Sequence, residues 1–315
     1  MALSHKTTRL LAYAAIYLFW GGSFLAIRDL VGVTPPFFIA AIRFFLAGAG
    51  LYLYTRLRGV APPRGRPLYH SLLMGVVLFT VSYGCLFWAE TRIASGTAAI
   101  IAAMIPIWVL LGEVLVLRTQ RLTFAAALAA ALGIAGVFLV TRAAGVHHSM
   151  LRGLLTQLFG TMIFAFGTLL SRHLTLPADQ AQRSALQMAL GSLGLFVLSA
   201  VTGEFPHVAA AVAAWHGHSI VSFLYLIFCA SLLGFTSYTW LIHHDPPSRV
   251  ASYAYVNPLI ALLLGVTLGG ERVLPLQWAG AAMIIFGVAG TLLSRGHQQP
   301  AAGPATLPPP EDVGA

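Results

Sequence analysis

The sequence predicts an all-α integral membrane protein of ten transmembrane helices in two inverted halves of five, and three observations predict it. Composition is the first: 58% of the 315 residues are hydrophobic and 9% charged, with a mean hydropathy of +0.83. A soluble domain carries charge on about a quarter of its residues, so this chain has too little polar surface to cover a globule in water. The second is length, because apolar runs of about 20 residues, enough to cross a bilayer core, recur along almost the whole chain. The third is repetition, because landmarks of the first half return in the second at similar offsets.

Taken in order, the spans fall at roughly 10–30, 37–55, 68–89, 96–117, 122–141, 152–172, 182–202, 219–242, 249–270 and 275–294. Lys6 and Arg9 precede the first run as basic residues precede the core of a signal peptide, but the run is of full span length and reads as a retained helix. The connections are short and leave no room for an inserted soluble domain. The longest, Phe205–His218, predicts a short interfacial helix from Pro206 to Gly217. Residues 296–315, with Pro300, Pro304, Pro308, Pro309 and Pro310, read as a disordered cytoplasmic tail.

The net charge of +9 raises the question of nucleic acid, and the placement of the cations answers it. With the N-terminus in the cytoplasm, Lys6, Arg9, Arg56, Arg58, Arg64, Arg66, Arg118, Arg121, Arg172, Arg183, Arg249 and Arg295 lie inside. Arg28, Arg92, Arg142, Arg152 and Arg272 lie outside, and Arg43 lies within a span. Twelve inside against five outside is the bias that orients short-looped membrane proteins, here with both termini in the cytoplasm. The basic balance is therefore an orientation signal, and no nucleic-acid partner is expected. Arginine-rich, lysine-poor usage points to a high-GC, bacterial source, hence an inner membrane. Cys85 and Cys229 fall inside spans and behave as small hydrophobes.

The repeat is read from several matches. Gly133-Ile-Ala-Gly136 in the fifth span returns as Gly287-Val-Ala-Gly290 in the tenth, each followed by apolar residues and an arginine. Pro106 in the fourth span matches Pro258 in the ninth, and Trp20-Gly21-Gly22 is echoed by Phe166-Gly167-Thr168. The offsets run from 146 to 154. A unit with an odd number of spans ends on the opposite side from its start, so its copy runs upside down. The halves are 8–145 and 146–295. Inverted repeats with interrupted helices at matching positions are a signature of secondary transporters, whose sites lie at those interruptions.

The candidate site follows. Pro258 frees the carbonyl of Ala254 from its helical partner and Pro106 does the same for Ala102. Such a carbonyl is tolerated in a membrane only where it faces protein or a wet cavity. Asn257 adds a donor and an acceptor beside that gap, and Tyr253, one turn earlier, shares its face. Either these residues line a solute cavity, or proline only bends the helix and Asn257 bonds a neighbouring helix. Trp20 and Ser23 bracket the glycine pair at 21 and 22, which suits an aromatic cavity wall or close helix packing. Arg43 is an intramembrane charge that could bind a solute carboxylate, or snorkel or pair with a neighbouring helix. Glu113 is the better-placed candidate for proton coupling, with a helix-end role at the cytoplasmic interface as its rival. Glu90 reads as a surface partner of Arg92, and Arg28 as an interfacial anchor. Tyr83, Trp88, Tyr238 and Trp240 could line the cavity or belong to interfacial aromatic belts.

No motif calls for a cofactor, a metal or catalytic residues. His216 and His218 have no complementary ligand pattern, and the chain has neither a phosphate-binding glycine loop nor HExxH. The four aspartates sit in loops, at span ends or in the tail, away from any shared intramembrane site, which speaks against an embedded enzyme. A non-transporting receptor or scaffold is the remaining rival. The expected partners are a small-molecule substrate and membrane lipids, and a homodimer is allowed.

Ala251-Ser-Tyr-Ala-Tyr-Val-Asn-Pro258 through Leu268-Gly-Gly-Glu271, with Trp20-Gly-Gly-Ser-Phe24, Pro35-Pro36, Arg43-Phe44 and Ser95-Gly-Thr-Ala98 to Pro106, resembles the drug/metabolite transporter superfamily. Within it, the chain is similar to the EamA-domain exporters of the YedA-like group, over about residues 8–297. The resemblance implies ten helices in two inverted EamA repeats, with the first four of each around a central cavity and the fifth outside it, and it implies export. Thr119 stands where the second repeat has Glu271, so Glu271 is expected to be a helix-end residue. The stretch His243–Pro247 also departs from the pattern.

Overall fold

A computed structural model describes residues 4–118, 123–143, 148–245, 250 and 252–296. The tail beyond Gly296, Thr119 and the last two residues of the segment 243–247 lie outside the described residues. Every regular element among those described is a helix. An unpaired backbone amide in hydrocarbon has no water to bond, and a helix satisfies its own.

The first helix, α1 (His5–Val31), starts where the Ser4 side chain accepts the Thr7 amide at 3.2 Å. Its 27 residues measure about 40 Å, more than the bilayer core, so it crosses with tilt. Then come α2 (Pro36–Leu57), α3 (Arg66–Glu90), α4 (Ser95–Val116), α5 (Phe124–Ala143), α6 (His148–Ser171) and α7 (Gln180–Val201). A short α8 (Phe205–Ala213) has Pro206 in its first turn. It ends before the expected Gly217, which instead opens α9, built from Gly217–Leu224, Tyr225–Leu233 and Gly234–His244. The last two are α10 (Tyr253–Thr267) and α11 (Pro275–Gly296).

Seven apolar helical segments are long enough to cross a membrane, in α1, α2, α3, α4, α6, α7 and α9. Shorter apolar stretches, Ala127–Val140, Val256–Thr267 and Pro275–Gly290, occupy the places of the fifth, ninth and tenth expected spans.

Three helices are locally widened. Val76–Tyr83 in α3, Gly112–Val116 in α4 and Tyr225–Leu233 in α9 are π-helical, and the first and the last are each followed by a glycine, Gly84 or Gly234. Such widening is rare and concentrates at functional sites. The two prolines behave differently. Helix α4 breaks at Ala103–Met104 and Pro106 sits in the first turn of the restarted piece, whereas Pro258 lies inside a continuous α10.

Packing follows a regular scheme. The most extensive pairs are α5 with α11 and α2 with α7. Helix α1 packs on α9 and α10, while α6 packs on α3 and α4; α3 lies on α7, and α2 on α9. At the α5–α11 crossing the backbones almost touch. A methyl group at Gly136 would lie 2.7 Å from the Gly280 carbonyl oxygen, and one at Gly280 would lie 2.7 Å from that of Gly136. Only glycine permits this approach.

Candidate functional site

The two halves meet around the widened turn of α9. From α1, Trp20 Nε1 donates to the Ala230 carbonyl at 3.0 Å. From α2, Arg43 Nε donates to the next residue, Ser231 Oγ, at 3.3 Å. Two first-half side chains thus anchor on consecutive residues of one irregular stretch.

Aromatic rings surround these anchors. The Trp20 ring lies 5.6 Å from Phe235, 5.3 Å from Tyr238 and 5.1 Å from Tyr253. On the other side, Phe44 packs edge-on to Phe79 and Tyr83, and Phe79 reaches Phe235 at 6.2 Å. The Arg43 guanidinium lies 4.7 Å from the Phe44 ring centre and 5.8 Å from that of Phe87, within cation–π range. Helices α1, α2, α3, α9 and α10 all contribute.

Within this setting several polar groups are buried with bonding capacity unused. Arg43 is 3% exposed and its Nη1 has no partner. Asn257 is 7% exposed and its Oδ1 has none. Buried polar atoms are nearly always bonded, so these two exceptions make Arg43 and Asn257 candidates for meeting a solute or water. Arg43 is buried within the bundle instead of reaching a surface, and the side-chain oxygen that it bonds is that of Ser231.

The remaining sequence candidates separate. Ser23 Oγ donates to the Trp20 carbonyl at 2.8 Å, so its hydroxyl is spent on its own helix. Gly21 and Gly22 are closely packed: a methyl at 21 would lie 2.8 Å from Ile260 of α10, and one at 22 would lie 2.5 Å from the Tyr225 hydroxyl. That hydroxyl donates to the Leu18 and Phe19 carbonyls, both at 3.1 Å. Pro258 sits one residue after Asn257, whose carbonyl faces Gly21, and Pro106 belongs to α4, away from these bonds. Glu113 is buried and its Oε1 pairs with Arg172 Nη1 at 2.9 Å, tying α4 to α6. Tyr83 and Tyr238 join the ring cluster, whereas Trp88 lies under Arg92 at 3.5 Å and Trp240 stacks on His244 at 4.1 Å.

Three acids take on roles that the sequence reading did not assign to them. Glu271 Oε1 and Oε2 accept the Ser95 and Gly96 amides at 2.7 and 3.2 Å, so the segment just past α10 caps the start of α4. A helix start has free amides and a positive dipole end, both of which favour a carboxylate. Glu204 does the same for α2, accepting the Phe37 and Phe38 amides at 3.3 and 2.8 Å. Both caps join the two halves. Glu90 does not pair with Arg92 at the surface: it is 0% exposed, and Arg92 bonds Thr91 and the Trp88 carbonyl instead. The available signal was scarcity, since the chain has only nine acids and this one ends an aromatic stretch. Among the described residues no three His, Cys, Asp or Glu side chains gather as a metal site.

An apolar helical bundle with a buried arginine, a buried asparagine and aromatic rings where its halves meet is a membrane transporter in class. Residues 8–142 and 151–293 each match the EamA-like transporter family, and the chain belongs to that family. It is 31% identical over 286 residues to the uncharacterized inner membrane transporter YedA of Escherichia coli (strain K12), covering 90% of each chain. It is 25% identical to the uncharacterized transporter YvbV of Bacillus subtilis (strain 168), covering 90% of this chain and 91% of that one. A solved crystal structure 21% identical aligns with a TM-score of 0.62, covering 92% of this chain and 99% of that one, which shows the fold.

Proposed function

We propose that the chain is a secondary transporter of a bacterial inner membrane that exports small organic solutes by alternating access. Ten spans form two inverted repeats of five, with both termini in the cytoplasm. Under that reading α1 to α5 correspond to α6, α7, α9, α10 and α11. Exchanging the halves then turns the α1–α9 and α1–α10 contacts into α6–α3 and α6–α4, and returns α2–α7 and α5–α11 to themselves, which is the observed scheme. The widened turns of α3 and α9 also exchange, at an offset of 149 residues between Val76 and Tyr225.

The observation that carries the functional reading is the buried, incompletely bonded pair Arg43 and Asn257 beside the Trp20 rings. Arg43 would take an acidic group of the solute, Asn257 a polar group, and Trp20 and Tyr253 its apolar part. Pro258 loosens α10 beside Asn257 so that the helix can bend as the halves rock. The Glu271 and Glu204 caps would hold the outer end closed. At the inner end, Arg9 pairs with Asp245 at 3.3 Å and the Tyr17 hydroxyl meets Ser252 Oγ at 2.6 Å. Rocking would break one set while the other persists. Export as the direction rests on the family resemblance.

The test compares metabolites in the medium and cytoplasm of cells expressing the wild type, Asn257→Ala or an empty vector. A solute that accumulates outside only with the wild type supports export through this site. Identical profiles under several nutrient and toxin loads would overturn it.

A further inference from the structure

Glu90, the last residue of α3, carries a carboxyl group that the fold has enclosed without bonding. Both of its oxygens are buried and neither has a hydrogen-bond partner. The charged groups in range come from three neighbouring segments of the bundle: Arg28 and Asp29 on α1, Arg43 on α2, and Glu271 just past α10. Arg28 donates to the backbone carbonyl of Glu90 and not to its carboxyl group. Asp29 Oδ2 is taken by His218 and Ser222 at 2.8 and 3.1 Å, and Glu271 by the start of α4. Arg43 is also in electrostatic range of Tyr83 and Tyr225, and keeps Nη1 unbonded. The Arg43 guanidinium lies 5.8 Å from the ring of Phe87, one turn before Glu90, so Glu90 and Arg43 are in electrostatic range of each other without an ion pair, and each has bonding capacity unused.

With Glu90 protonated, Arg28 and Arg43 balance Asp29 and Glu271. Ionising Glu90 adds one uncompensated negative charge opposite Arg43, and an organic anion bound at Arg43 adds the same. Two negative charges compete for one guanidinium in a site of low dielectric, so each disfavours the other.

We propose that Glu90 is the proton-binding group of the carrier and that it is loaded together with an organic anion at Arg43, so that anion and proton cross as a neutral pair. This rests on the reading of Arg43 as the solute's anchor. The proton comes from water on the loading side and returns to water on the other, and no other bond changes. Transport is then insensitive to membrane potential, and export runs down the combined gradient of solute and proton, as overflow of an accumulated acid.

The test uses full-length protein in lipid nanodiscs with naphthalene-1-sulfonate, an aromatic anion that stays ionised throughout the pH range. Binding is read by quenching of tryptophan fluorescence, and protonated carboxyl groups by their infrared band. Wild-type affinity is expected to fall by up to about tenfold per pH unit above the titration of Glu90, because each anion held carries one proton. Glu90→Gln is expected to bind with pH-independent affinity and to lack the infrared band; Glu90→Asp, which keeps the acid, restores both; Arg43→Gln abolishes binding. Arg43-dependent binding without pH dependence in the wild type overturns the coupling and leaves the Arg43 anchor standing. No binding by the wild type overturns the anchor and the coupling with it. Loss of the infrared band in Glu113→Gln and not in Glu90→Gln overturns the assignment to Glu90.

Discussion

Replacing Gly21 by Ala adds one methyl group at a close contact between α1 and α10. The new carbon would lie 2.8 Å from Ile260 Cβ and Cγ2 and 3.4 Å from the Asn257 carbonyl oxygen. Unstrained carbon contacts are about 3.5–4.0 Å, so the helices must part by about 0.7 Å or more. Overpacking of this kind costs about 1–3 kcal/mol, while the helix preference of Ala over Gly returns up to about 1 kcal/mol. Gly50→Ala supplies the matched reference, because a methyl there meets nothing within 4 Å. The difference between the two variants isolates the steric part. In detergent unfolding of the purified protein, Gly50→Ala should be neutral or stabilising and Gly21→Ala less stable than it by about 1–3 kcal/mol. The same shift moves Asn257 relative to Trp20, so solute export should fall in Gly21→Ala alone. Equal stability and equal export in the two variants would refute the close α1–α10 packing.

Other substitutions separate structure from recognition. Glu271→Gln keeps an acceptor but removes the charge at the start of α4, and should lower detergent stability by about 1–2 kcal/mol; an unchanged midpoint would remove the cap from the account. Trp20→Phe keeps a ring and removes one N–H bond worth about 0.5–1.5 kcal/mol, so it should fold; retained export in both it and Asn257→Ala would remove these residues from the site. Trp20→Ala is a poorer probe, because losing the whole side chain costs about 3–5 kcal/mol in packing. Arg172→Ala breaks the pair with buried Glu113 while Arg172 is itself more than half exposed, so a loss of about 1 kcal/mol or less is expected from the ion pair, read in the same unfolding assay.

Much of the fold was legible because the membrane imposes it. Apolar length marked where helices run, and the glycines at 133, 136 and 287 marked a real close crossing of α5 and α11. The site was legible in part. Trp20, Tyr253 and Asn257 stood out because large or polar groups beside helix breakers are costly, and they do lie near one another. Linear sequence hid what depends on a third element. Ser23 looked available until its hydroxyl was found bonded to its own helix. The widened turns of α3 and α9 have no residue signature, since Val76–Tyr83 and Tyr225–Leu233 read as ordinary apolar helix. Pro106 and Pro258 looked equivalent, yet one starts a helix and the other sits within one, because the residues before Pro106 turn at Ala103–Met104. Glu90 and Glu271 both sit at helix ends, where surface roles are common; only the packing of α1 and α4 against them decides otherwise.

The central claim is that Asn257 lies on a cavity open in turn to each side of the membrane. The direct measurement replaces Cys85 and Cys229 with Ala, introduces Asn257→Cys, and follows labelling by a membrane-impermeant maleimide in intact cells and in inside-out vesicles. The account predicts labelling from both sides, slowed from each by a transported solute. Labelling from neither side would make Asn257 a bond between packed helices, and labelling from one side alone would contradict alternating access.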